Sequence, residues 1–90
     1  MGDELMAEQP LSYRRLRRIL HAFGIEEDVS RGKGSHRTFV GVVDGRIVKY
    51  PTKCHNENQP KPMAVVKAIR RAFKLTAVDG IADRDFYSRG

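Results

Sequence analysis

The chain predicts an α+β domain in which a three-stranded antiparallel sheet carries two helices on one face, in the order helix, three strands, helix, tail. Three observations carry that reading. Apolar residues recur at spacings of three and four in two stretches, one on each side of the middle of the chain, as helices packed on a core require. Between them lie two runs of β-branched and aromatic residues joined by Asp44-Gly45, the dipeptide preferred in two-residue hairpin turns. At 90 residues there is room for one small domain and not for a second lobe, so any active site must be shallow.

Taken in order, residues 1 to 10 mix acidic and small residues ahead of Pro10 and predict a loosely ordered arm, with the domain running from 11 to 90. Ser12 stands where an N-cap belongs. Tyr13, Leu16, Ile19, Leu20 and Phe23 then form one apolar stripe, and Gly24 ends the helix. Its other face carries Arg14, Arg15, Arg17, Arg18 and His21. A solvated surface is the ordinary use of such a face. Four arginines of one sign within five positions nevertheless repel each other and lack local Glu partners, which makes a phosphate backbone or an acidic protein a reasonable counterpart. From Ile25 to Arg31 the pattern is short and polar, a turn leading into a brief edge strand.

Thr38 to Val43 and Ile47 to Tyr50 are the hairpin strands, and Pro51 is expected to stop the second by removing a backbone donor. Thr52 to Pro62 reads as a loop from its Asn and Pro content. Pro62 opens a second helix with Val65, Val66, Ile69, Ala72 and Phe73 inward and Lys67, Arg70, Arg71 and Lys74 outward. Beyond it, Thr76 to Asp79 has capping-box spacing, Gly80 breaks the run, and Ile81 and Phe86 each offer an apolar side chain to a tail that packs without being essential.

Composition narrows the partner. Seventeen Lys and Arg against eleven Asp and Glu give a net charge of +6 and favour a polyanion, either nucleic acid or an anionic membrane. A membrane is not expected, because no apolar run approaches the ~18 residues of a span, and the acidic start Met1-Gly2-Asp3-Glu4 does not resemble a secretory signal. The single Cys54 makes no intrachain disulfide and suggests a reducing, cytoplasmic setting.

The one stretch suited to chemistry is Gly32-Lys33-Gly34-Ser35-His36-Arg37, where an imidazole stands beside glycines, a hydroxyl and two cations as a loop gives way to a strand. Lys33 and Arg37 would draw a phosphate, and His36 can move protons near neutral pH. A basic glycine turn with a surface histidine is equally at home in solvent. Parity puts His36 with Thr38, Val40 and Val42, and Arg37 with Phe39, as long as no bulge interrupts the run; the glycines leave the face of His36 open.

The order α-β-β-β-α, with Gly34-Ser35-His36 entering the second strand, Asp44-Gly45 in the hairpin, Pro51 after the third strand, and Pro62 followed by Val65, Val66 and Ile69, resembles the HicA family of toxin ribonucleases. The resemblance runs from Leu11 to about Leu75, and the ending Asp85-Phe86-Tyr87 is similar to that of some members. It implies a double-stranded-RNA-binding-like fold, a cofactor-free and metal-independent cut of messenger RNA in which the motif histidine, by position His36, is catalytic, and neutralisation by a HicB antitoxin. Such a cut needs proton transfer at the attacking 2′-hydroxyl and the leaving oxygen, and charge stabilisation at phosphorus. His36 would supply the first. Lys33, Gly34, Ser35 and Arg37 in the motif, Arg14 and Arg18 on the first helix, and Lys49 and Lys53 from the neighbouring strand and loop are the candidate phosphate contacts. His55 is a weaker candidate for the second proton transfer. Metal-ligand spacing is missing: Cys54 and His55 are adjacent, with no Cys-x-x-Cys or His-x-x-x-His pair. A non-catalytic RNA-binding module is the alternative, since a compact basic domain of this order can hold duplex RNA by shape and phosphate contacts alone.

Overall fold

In the computed structural model, residues 11–29 and 34–89 are described; the expected N-terminal arm lies outside them. A two-residue strand, β1 (Leu11–Ser12), leads directly into helix α1 (Tyr13–Ala22). Ser12 is the N-cap, its hydroxyl accepting the Arg15 N–H at 3.1 Å, which satisfies one of the donors a helix start leaves without an intrahelical partner. Tyr13, Leu16, Ile19 and Leu20 are buried along one side.

Three strands follow. The brief edge strand is β2 (Glu26–Asp28), built from the acidic residues themselves; it pairs antiparallel with β3 (His36–Val43), which pairs in turn with β4 (Arg46–Lys53). The sheet order is β2-β3-β4. Asp44 and Gly45 both take positive φ, 51° and 78°, as a type I′ hairpin turn requires. The register runs unbroken from Val43↔Arg46 to His36↔Lys53, so no bulge intervenes and the parity argument holds.

Pro51 does not stop β4. The Cys54 N–H donates to the Ser35 carbonyl at 2.7 Å, so the 35–54 pair is hydrogen-bonded and, by alternation, the N–H groups of residues 52 and 50 face β3 while that of residue 51 would face outward. On an edge strand that outward donor has no ladder partner, and its absence costs nothing. The expected loop is correspondingly shorter: Thr52 and Lys53 end β4, and Pro60–Lys61 form β5, which pairs antiparallel with β1 in a small second sheet.

Helix α2 (Met63–Ala72) starts after Pro62, whose φ of −56° suits a helix entrance. A 3-10 turn, Ala77–Asp79, carries the expected Thr76–Asp79 capping box, and a short helix, α3 (Asp83–Tyr87), closes the chain.

One core joins these parts. Phe39 of β3 is buried with Leu16 and Ile19 of α1 and Val66 and Ile69 of α2, whereas Val42 and Ile47 on the alternate sheet face are 71% and 69% exposed. Both helices therefore cover the same face. At Gly41 a Cβ would stand 2.8 Å from Ile25 Cγ1 and 3.2 Å from the Phe73 ring, so the close approach of helix and sheet depends on a residue without a side chain.

Two expectations for the C-terminal half are corrected. Arg70 does not face outward: it is buried, donating from Nε to the Leu75 carbonyl at 2.8 Å and from Nη1 to Asp83 at 2.7 Å, with its guanidinium 4.6 Å from the centroid of the Phe86 ring. Burial is tolerated because carbonyls, a carboxylate and aromatic faces replace the water it loses. The tail is accordingly part of the core, with Phe86 fully buried and stacked on Phe23 at 5.8 Å. No helix among the described residues is long and apolar enough to cross a membrane.

Candidate functional site

The ladder that keeps Pro51 in β4 also fixes His36. With 35–54 hydrogen-bonded, His36 and Lys53 form a non-hydrogen-bonded pair, the class in which Cα atoms approach to ~4.5 Å and side chains lie closest. His36 is exposed, and so is Lys53. Thr38, Val40 and Val42 continue the face along β3, and Pro51, Lys49 and Ile47 along β4. The structure thus brings an exposed imidazole beside one lysine, with a second lysine further along the same strand, on the sheet surface that no helix among the described residues covers.

Arg37, the next residue, does the opposite. The strand alternation turns it toward the helices, where its guanidinium donates to Glu27 at 2.9 Å and approaches Glu57 at 3.5 Å and the Tyr13 ring at 5.6 Å. Around it is a polar cluster that the sequence reading missed. Arg17 donates from both terminal nitrogens to the two Glu57 oxygens at 2.8 Å each, Arg14 lies 3.7 Å from Glu57, and the Tyr13 hydroxyl donates to Glu27. Hydrogen bonds from Arg17, and then its charge and Arg37, hold the Glu57 carboxyl down to about 2. Burial, and then the Glu27 carboxylate, push the Tyr13 hydroxyl well above its ordinary range and keep it a donor. Arg14 and Arg17 of α1 thus find carboxylates in β2 and in the loop after β4, distant in sequence, whereas Arg15 donates to the Tyr87 carbonyl at 2.8 Å. The one signal for this was Glu57, the single carboxylate in the polar stretch from Cys54 to Pro62.

The candidate phosphate contacts therefore divide between two layers. Lys49 and Lys53 share the open face with His36; Arg14, Arg18 and Arg37 lie on the helix side of the sheet, the first and last within the carboxylate cluster. Gly34 is exposed with φ of 62°, and Ser35 holds the end of the ladder through its carbonyl. Lys33 lies outside the described residues. Arg14, Arg17, Arg18 and His21 line a groove of about 570 Å³ between α1 and β2, but Glu26 and Glu27 line it too and offset its charge. His55 is exposed in the loop that follows β4, and Cys54 is a buried free thiol. Among the described residues no three His, Cys, Asp or Glu side chains gather as metal ligands.

The chain matches no protein-family model, no curated protein and no solved structure.

Proposed function

We propose that this protein cuts RNA as the toxin of a HicA/HicB-type pair, with His36 as the proton-transfer group. The observation that carries the reading is the exposed His36–Lys53 pair on the uncovered sheet face, entered by Gly34-Ser35. The order of helices and strands, with both helices on one side of the sheet, supports a double-stranded-RNA-binding-like fold. In the reaction the ribose 2′-oxygen bonds to the adjacent phosphorus and gives up its proton, and the bond from phosphorus to the 5′-oxygen breaks as that oxygen gains one. His36 takes or returns a proton. Lys53 and Lys49 stabilise the charge on the non-bridging oxygens, in place of Arg37, which the carboxylate cluster holds elsewhere. A cytoplasmic, reducing setting suits the free Cys54, and an acidic HicB-like antitoxin would silence the toxin by covering the face that holds His36.

The non-catalytic RNA-binding module is the second reading, favoured by an open face on which lysines outnumber imidazoles. RNA integrity separates the two. A long RNA incubated with the protein in excess chelator should shorten, and His36→Gln, which keeps a hydrogen bond but cannot shuttle a proton near neutral pH, should slow the cut ~10²–10⁴-fold with circular dichroism unchanged. If His36→Gln cuts as fast as the parent, His36 is neither acid nor base; if the parent leaves RNA intact throughout, the binding module is the function.

A further inference from the structure

Three concavities among the described residues differ in the carboxylates that line them. The α1–β2 groove contains Glu26 and Glu27, and the concavity beside α2 contains Asp83. A third groove, of about 270 Å³, lies where β4 runs into the following loop, and its lining contains no acidic residue. Its rim is formed by Lys53, His55, Asn56, Gln59 and Lys61, and the largely buried Tyr13 and Cys54 lie at its base.

The fold explains that charge pattern. The loop from Cys54 to Pro62 has one carboxylate, Glu57, and both of its oxygens are taken by Arg17 on the α1 side. The same ion pair fastens the middle of the loop, while the Cys54–Ser35 bond fastens its start and the β1–β5 pairing its end. The Tyr13 and Arg14 N–H groups add further ties to the Gln59 and Glu57 carbonyls at 3.1 and 3.0 Å. The groove wall is therefore held at several points, and its cations are presented without an acidic neighbour in the lining. Lys61 Nζ donates to the Lys53 carbonyl at 2.7 Å, which places its charge at the end of β4 and leaves two of the three ammonium hydrogens for other acceptors.

We infer that this groove is a binding site for a phosphate of a single-stranded RNA, next to the one at which His36 acts. The inference rests on the reading of His36 as the cleavage group, and the link between the two sites is Lys53, which is the cross-strand partner of His36 and also lines the groove. An RNA strand crossing the open face at His36 meets Lys53 and then passes into the groove. There Lys61 and His55 contact the flanking phosphate, and the Gln59 amide, carrying both a donor and an acceptor, is placed to meet a base edge.

The test uses a short single-stranded RNA made uncleavable by 2′-O-methylation, so that binding is read independently of cutting. Lys61→Glu and His55→Ala should each weaken its binding severalfold, the double variant by more than tenfold, and Lys61→Glu should lower the salt dependence by about one released counterion. Arg71→Glu, on exposed α2, serves as the control for net charge. If the groove variants bind like the parent while Lys53→Glu binds weakly, or if Arg71→Glu weakens binding as much as Lys61→Glu, the groove is no binding site, and the cleavage reading stands untouched. If binding depends on the groove but the parent never cuts natural RNA, the phosphate site stands and the cleavage reading fails. If the parent binds no RNA at low salt, both fall.

Discussion

Glu57 shows how one residue's surroundings set a measurable property of the molecule. Its folded-state pKa, about 2, lies below its ordinary value of 4.5, so the ionised carboxylate stabilises the fold; that contribution is complete above pH 4.5 and is lost as pH falls toward 2. Urea unfolding of the parent and of Glu57→Gln should therefore differ at neutral pH and converge as pH approaches 2. Parallel curves over that range would show that the Arg17–Glu57 pair contributes nothing. Parity puts His36 and Arg37 on opposite faces only if no bulge intervenes, which the glycines of the motif leave open in the sequence and the unbroken register decides. The sequence could not say that Arg37 is engaged, because Glu27, Glu57 and Tyr13 lie 10, 20 and 24 positions away and carry no pattern that points at residue 37.

At the scale of elements, what was legible was local. Asp44-Gly45 names its turn type through positive φ, Ser12 its cap through a hydroxyl, and the two apolar stripes their helices through spacing. The β1–β5 pairing was hidden for the opposite reason: two residues have no periodicity, and the partner of Leu11 is Lys61. Arg70 was misread because the groups that satisfy it, Asp83, the Ile81 and Leu75 carbonyls and the Phe86 ring, all follow α2 in the chain, beyond the reach of a pattern argument. Packing between elements gives a sharp test at Gly41. Gly41→Ala places its new carbon against Ile25 and Phe73 and should destabilise by about 1–3 kcal/mol in chemical denaturation, despite alanine's greater backbone stiffness in the unfolded chain. A stabilised variant would mean that the helix side of the sheet yields more readily than the close approach implies.

For the molecule as a whole, the tail is part of the core, through buried Phe86 and Tyr87. Phe86→Ala should cost about 3–5 kcal/mol, the range for removing a buried aromatic side chain, and truncation before Asp83 should also remove the carboxylate of buried Arg70. A truncated chain with the thermal midpoint of the parent would restore the view of the tail as an accessory. Under the toxin reading, an acidic partner meets the open face, so Lys49→Glu with Lys53→Glu should slow association more than it speeds dissociation, in a manner that salt diminishes.

The strand order β2-β3-β4 leaves β4 at an edge of the sheet among the described residues, the kind of border on which further strands assemble. Pro51 supplies no outward donor, and Lys49 and Lys53 flank it, so an incoming chain finds an interrupted template bordered by like charges. A proline at that position is expected to discourage strand addition at this edge. Pro51→Val should fold with its stability intact and yet, at high concentration, seed thioflavin-positive aggregates that the parent does not form.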